Sequence, residues 1–221
     1  MRLIFASNNN HKLSEMKSIL GDKYSIFLYS LNDFDIHIDP DETGTTFKEN
    51  ADIKSKATYT ALKEKGELKV GDFIFSDDTG LCIDYFDDAP GIYSARFMGD
   101  ISQLEKNKKI IKELENISDE KRSAYFETCI SVIEIRLDKD LIDMPEPLHF
   151  IGKVDGYIAK TLEGEDGFGY DPIFVVKEYM ESLADFSKTY AKLGSETKNR
   201  ISHRAKAMAS FVAYLEKNHK I

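Results

Sequence analysis

Ser7-Asn8-Asn9-Asn10-His11-Lys12-Leu13-Ser14-Glu15 is the first stretch whose residue types could do chemistry. It lies between a short apolar run and a helical pattern. Free backbone N–H groups and the positive end of a helix therefore face outward, where an anion can bind. Lys12 in that first turn opposes the helix dipole by roughly 0.3–1 kcal/mol, an opposition that a bound phosphate would reverse. The alternative is an ordinary N-cap with a Lys12–Glu15 pair at i, i+3, since the glycines of a P-loop are missing.

A second set is acidic: Asp41-Glu42, then Glu49, then Ser76-Asp77-Asp78-Thr79-Gly80. Adjacent carboxylates are costly unless something positive neutralises them. Mg²⁺ is held by one or two carboxylates together with substrate phosphates, so ligands drawn from separate segments suit it. The competing reading is a solvated acidic turn with Asp78 as a local cap. Asp78-Thr79-Gly80 also matches the aspartic-protease signature. That chemistry needs two carboxylates sharing a proton, from two lobes or a dimer of small β-chains, and this helix-bearing chain supplies the motif once.

Two further stretches bear chemistry. In Gly164-Glu165-Asp166-Gly167-Phe168-Gly169-Tyr170-Asp171-Pro172, glycines let the backbone approach a flat ligand while a ring stacks on it; alone, such a loop is a turn. Lys198-Asn199-Arg200-Ile201-Ser202-His203-Arg204 puts Ser202 at an N-cap and basic residues in the following turn, against the dipole. A solvated basic cluster is the alternative there.

Positioning these groups requires an alternation of strands and helices. Arg2 to Ala6 reads as a strand, His11 to Leu20 as a helix stopped by Gly21, and Ser25 to Tyr29 as a second strand. Leu31 to Thr45 is an acidic loop. A long helix follows from Thr46 to Lys65. Phe73 to Ser76 and Leu81 to Phe86 read as two strands joined by a turn at Asp77–Gly80. After a helix over Ile101 to Leu114, Ala124 to Leu137 and Leu148 to Thr161 form a ribbon in a second lobe. Ile173 to Val176 is a strand and Ser202 to Asn218 a closing helix. The class is α/β with a mixed sheet.

Composition narrows the partners. The 221 residues carry 30 Lys+Arg against 39 Asp+Glu, a net charge of −9, which speaks against a nucleic-acid polymer. No stretch has the roughly 18 apolar residues of a membrane helix, and the N-terminus does not read as a signal peptide. Two cysteines, Cys82 and Cys129, suit reduced, buried thiols and a cytoplasmic setting.

Taken together, the motifs resemble the inosine triphosphate pyrophosphatase family, over essentially the whole chain. The matching residues are Ser7-x-Asn9-x-x-Lys12-x-x-Glu15, Glu42-Thr43-Gly44-x-Thr46-Phe47-x-Glu49-Asn50-Ala51 with Lys54, and Asp77-Asp78-Thr79-Gly80-Leu81. Ala89-Pro90-Gly91-x-Tyr93-Ser94-Ala95-Arg96, Gly167-Phe168-Gly169-Tyr170-Asp171-Pro172 and Ser202-His203-Arg204 complete the series. Asn8 stands where that family commonly has Gly, Glu165-Asp166 where it has small residues, and Ala184 to Thr197 is longer than usual.

The resemblance implies one domain over residues 1–221. Its α/β fold has a long central mixed β-sheet with flanking helices, and two lobes with the active site in the cleft between them. It further implies a cytoplasmic homodimer that hydrolyses ITP, dITP and XTP to the monophosphate and pyrophosphate with Mg²⁺. By motif position, Ser7, Asn8, Asn9, Asn10, His11 and Lys12 line the triphosphate site, Lys54 adds charge there, and Thr79 also binds the substrate. Phe168, Gly169, Tyr170, Asp171, Lys198, His203 and Arg204 frame the nucleotide, Glu42 and Asp78 hold the metal, and Asp78 is catalytic. Donors such as His203 or Arg204 suit the 6-oxo group of hypoxanthine and xanthine. The alternative is a catalytically weak nucleotide-binding regulator of the same fold.

Overall fold

Leu3, Ile4 and Phe5 are all fully buried, as expected of a parallel strand covered on both faces. The computed structural model describes residues 1–21, 26–182 and 186–219. In it β1 (Arg2–Phe5) pairs in parallel with β2 (Phe27–Ser30) and with β3 (Asp72–Ile83). The sheet continues through β4 (Ser123–Glu134) and β5 (Leu148–Ile158) to β6 (Phe174–Val176), which lies antiparallel to β5. The sheet is therefore mixed, six-stranded, and ordered β2-β1-β3-β4-β5-β6.

Helices α1 (Asn10–Leu20), α2 (Phe47–Glu64) and α3 (Gln103–Glu113) begin within two residues of the starts expected at His11, Thr46 and Ile101. Asn9, Thr46 and Ser102 cap their N-termini with side-chain oxygens. Two helices close the chain, α4 (Tyr190–Ile201) and α5 (His203–His219).

The chain divides into two compact units. The first comprises Met1–Asp78, Thr128–Ile151 and Ala207–Ile221. One of its cores joins Leu3, Phe5, Phe73 and Phe75 to Met16 of α1 and Phe211 of α5; another joins Ile4 and Ile74 to Tyr59 and Leu62 of α2. The second unit comprises Thr79–Glu127 and Gly152–Lys206, around Leu81, Ile110, Phe126, Ile158, Phe174 and Tyr190.

Four expectations need correction. Strands β4 and β5 do not form a ribbon in a lobe of their own: both belong to the single six-stranded sheet, and each is divided between the two compact units. Asp77–Gly80 is no turn: β3 runs unbroken for 12 residues through it. Local propensity disfavours Asp and Gly in strands, but pairing and burial in an interior strand override it. Helix α4 went unread because Gly194, at φ 78°, breaks the helical pattern in the middle. Residues 31–34 form a short 3₁₀ turn inside the stretch read as loop. Ser25, within the expected second strand, and residues 184 and 185 of the long stretch before Lys198 lie outside the described residues. Cys82 and Cys129 are buried and form no disulfide among the described residues, and burial pushes the Cys82 thiol up to about 11. Among the described residues, no helix is long and apolar enough to cross a membrane.

Candidate active site

The continuity of β3 decides the geometry of the first unit. Side chains alternate across a strand, so Phe73, Phe75 and Asp77 face α1 while Ile74, Ser76 and Asp78 face α2. Each of the adjacent carboxylates therefore meets a different lysine. Lys12 Nζ of α1 lies 2.9 Å from Asp77 Oδ1. Lys54 Nζ of α2 lies 2.8 Å from Asp78 Oδ1 and 3.0 Å from Glu42 Oε1.

One ammonium is thus shared by two carboxylates, and the field of Asp77 reaches it as well. Burial alone would depress Lys54, but Asp78, Asp77 and Glu42 together hold it above the usual lysine value. Asp78 is only 6% exposed. Burial pushes its carboxyl above the ordinary aspartate range and Glu42 adds to this, while Lys54 and Lys12 pull the other way without cancelling it. Its second oxygen, Oδ2, is buried with no hydrogen-bond partner among the described residues.

The loop that carries Glu42 is fastened to the start of α2. Asn50 Oδ1 accepts from Gly44 N at 2.8 Å, and Glu49 Oε2 accepts from Thr45 N at 2.6 Å and Thr45 Oγ1 at 2.9 Å. Those bonds, led by the backbone N–H of Thr45, lower the Glu49 carboxyl. Glu49, read from sequence as part of the acidic set, serves as a loop latch. Asn50 is fully buried, and in the sequence it stands out only as a member of a motif; its polar side chain in the first turn of a helix, six residues from Gly44, is the available signal.

In the Ser7–Lys12 loop the ordinary cap is present. Asn9 Oδ1 accepts from the N–H groups of His11 (2.9 Å) and Lys12 (3.2 Å), and Ser7 Oγ accepts from Asn9 N. Asn8, Asn9, Asn10 and His11 are exposed, whereas Lys12 turns inward to Asp77.

The second unit groups the remaining candidates. Gly167, at φ 85°, passes so close to Asp171 that a Cβ there would stand 2.2 Å from Asp171 Oδ2. That oxygen accepts from Phe168 N (2.8 Å) and from Lys198 Nζ (2.7 Å). Lys198 is buried, with its ammonium 4.4 Å from the centre of the Phe168 ring. Gly169 O accepts from Asn107 Nδ2 of α3 at 3.0 Å, which pins the loop from its other side. Tyr170 donates to Ser94 O at 2.9 Å, and burial pushes its phenol up to about 12, so it stays protonated. His203 stacks on Phe126, centroids 4.5 Å apart and planes 14° from parallel. Arg204 is buried, with one N–H directed at Thr79 Oγ1 3.4 Å away.

The first unit therefore brings together Lys12, Glu42, Lys54, Asp77 and Asp78, and the second gathers Thr79, Phe168, Gly169, Tyr170, Asp171, Lys198, His203 and Arg204. Asn50 and Asn107 carry no role of their own in the sequence reading, and Asp77, read there only as one of the acidic set, pairs with Lys12. Among the described residues, no three His, Cys, Asp or Glu side chains converge as a self-sufficient metal cage. A magnesium site of two carboxylates plus substrate oxygens does not require one.

Comparison with known proteins follows the same lines. The sequence profile of the Ham1 family matches residues 3–214. The chain is 42% identical over 209 residues to a dITP/XTP pyrophosphatase of Clostridium perfringens, covering 94% of this chain and 93% of that one. It is 40% identical over 218 residues to a dITP/XTP pyrophosphatase of Thermoanaerobacter pseudethanolicus, covering 98% of both. Among solved structures it resembles the Ham1 protein of Staphylococcus aureus, with a TM-score of 0.76, 35% identity and coverage of 98% and 99%. A HAM1 protein of Coxiella burnetii gives a TM-score of 0.77 at 34% identity, with coverage of 98% and 99%.

Proposed function

The chain belongs to the Ham1 family, and from that premise we propose that it hydrolyses ITP, dITP and XTP to the nucleoside monophosphate and pyrophosphate. The observation that carries the chemistry is the Lys54 ammonium held between Glu42 and Asp78, with an oxygen on Asp78 that is buried and has no hydrogen-bond partner among the described residues. Hydrolysis of a phosphoanhydride asks a protein mainly to place groups and neutralise charge.

Lys12 and Lys54 supply the charge toward the phosphate chain, with Ser7, Asn9 and the start of α1 beside Lys12. Asp78 takes the proton of the attacking water; a carboxyl raised above its ordinary range is a better base for that transfer than an unperturbed one. Asp77 keeps Lys12 oriented. Phe168 offers a ring for the base, held by Lys198 and Asp171, and Arg204 and His203 supply donors that suit a 6-oxo purine.

The donor set fits Mg²⁺. Asp78 Oδ2 is a buried acceptor without a proton donor among the described residues, and Glu42 adds a second hard oxygen. Bound there, Mg²⁺ would offset phosphate charge and polarise the reacting bond. The working unit is one domain over residues 1–221. In support, the chain passes between its compact units at Asp78–Thr79, Glu127–Thr128, Ile151–Gly152 and Lys206–Ala207, so neither unit is a continuous segment. We further propose a cytoplasmic homodimer acting on free nucleotides, in keeping with a net charge of −9. The regulator reading gains no support, since the carboxylates and lysines that catalysis needs are all in place.

The deciding test is product analysis with ITP, dITP and XTP in Mg²⁺. Pyrophosphate and the monophosphate are expected in equal amounts. Release of orthophosphate alone overturns the assignment.

A further inference from the structure

We propose that the second unit carries an oligophosphate-binding pocket that shares no residue with the site described above. Its lining is Lys108, Ile111, Lys112 and Glu115 from α3 and the turn after it, Arg122 just before β4, and Lys160 just after β5. Four cations and one carboxylate thus line a cavity of about 400 Å³ in a chain whose net charge is −9. That volume falls within the roughly 300–1,000 Å³ of small-molecule sites.

Arg122 is the feature that separates this pocket from a patch of surface lysines. It is 1% exposed. Its guanidinium donates from Nε to Ile158 O (2.9 Å), from one terminal nitrogen to Leu114 O and from the other to Ala159 O (2.7 Å). These bonds fix the plane of the group and use three of its five N–H donors. Among the described residues no carboxylate pairs with it: Asp119 acts on it only through space and itself pairs with Lys160 at 2.8 Å. A buried guanidinium neutralised only by carbonyl dipoles is an unusual expense in folding, and an anion in the pocket it lines would lower it.

The neighbouring lysines add to the same demand. Lys108 and Lys112 are one helical turn apart, an arrangement that is mildly repulsive in the absence of an anion. Lys160 stands 5.1 Å from the ring centre of Phe186, which also lies 5.9 Å from Arg122. A planar guanidinium at the base and flexible ammonium groups at the rim suit phosphate oxygens. Several cations call for more than one phosphoryl group, so the ligand class is a phosphate chain, either inorganic pyrophosphate or that of a nucleotide.

The test is calorimetry on the full chain in EDTA, so that no turnover occurs, with inorganic pyrophosphate and ITP titrated separately. The comparison is between the unaltered protein and Lys108→Ala/Lys112→Ala/Lys160→Ala, whose side chains are exposed and whose loss spares the core. The triple variant is expected to lose one equivalent of binding, or to weaken it by at least about tenfold, with turnover of ITP in Mg²⁺ unchanged. Loss with both probes assigns the phosphate chain itself, and loss with ITP alone assigns a nucleotide. Equal stoichiometry and affinity in both proteins overturns the proposal. So does a pocket that takes up hexaglutamate, an acidic peptide, but neither phosphate probe. Protection of Lys108 and Lys112 from acetylation by pyrophosphate gives an independent readout of the same site.

Discussion

Lys54 Nζ stands 2.8 Å from Asp78 Oδ1, while Oδ2 of the same carboxylate is buried without a hydrogen-bond partner among the described residues. Asp78 is therefore half committed. One oxygen is fixed by Lys54, and the other accepts no hydrogen bond among the described residues, which is what the proposed roles of base and metal ligand require of it.

Asp78→Asn tests that division of labour. The amide keeps the shape and one acceptor but cannot take a proton. Turnover of ITP is expected to fall by about 10²–10⁴-fold, the usual worth of a positioned base. Nucleotide binding, followed by calorimetry, is expected to persist. Near-normal turnover would remove Asp78 from the chemistry.

The Glu42 loop offers a second test at Gly44. A Cβ there would stand 2.6 Å from Asn50 Oδ1, 2.7 Å from Glu49 Cβ and 2.9 Å from Asn50 N. The last two contacts cannot yield by a side-chain rotation, so Gly44→Ala must shift the loop. The expected cost is about 1–3 kcal/mol of stability. If Glu42 helps hold Mg²⁺, the metal concentration for half-maximal activity also rises by about 10–100-fold. Thermal unfolding and a Mg²⁺ titration of activity measure the two effects, and an unchanged metal requirement would take Glu42 out of the metal site.

A stability-versus-pH prediction attaches to Glu134, away from these groups. Burial alone would raise this carboxyl, but Arg136 at 2.8 Å, Tyr214 at 2.6 Å and His219 at 3.1 Å outweigh it and hold it below the usual glutamate value. A depressed carboxylate stabilises the fold above its unfolded pKa of about 4.3, and that contribution disappears as pH falls through the lower folded value. The Tm of the unaltered protein should exceed that of Glu134→Gln at pH 7. The gap should close on acidification below about pH 4. A gap that is independent of pH would show that charge at Glu134 contributes nothing.

Much of this was legible in the sequence, for identifiable reasons. Helix starts at Asn9, Thr46 and Ser102 are written in capping side chains, and these act locally. The stretch Asp77–Gly80 was misread because strand formation there depends on neighbours distant in sequence, which propensity cannot see. That error hid the most informative feature of the site, since a turn would place both carboxylates together and a strand sends them to opposite faces. Asn50 and Asn107 were missed for a related reason: each acts through a backbone group that only the folded loop brings within reach.

Lys198 carries the final prediction, because its two readings diverge. By motif it serves the nucleotide; by geometry it is buried and bonded to Asp171, whose Oδ2 also receives Phe168 N. Removing one member of a buried pair costs about 3–5 kcal/mol, since the other charge stays behind. At roughly 2–4 °C per kcal/mol for a chain of this size, Lys198→Met should lower the Tm substantially with no nucleotide present. The Phe168 loop should loosen with it, so the KM for ITP rises as well. A variant with normal Tm and a raised KM would make Lys198 a substrate ligand alone. A lowered Tm with unchanged KM would make it purely a support for the loop, and only the combined result fits a lysine that holds both Asp171 and the ring of Phe168.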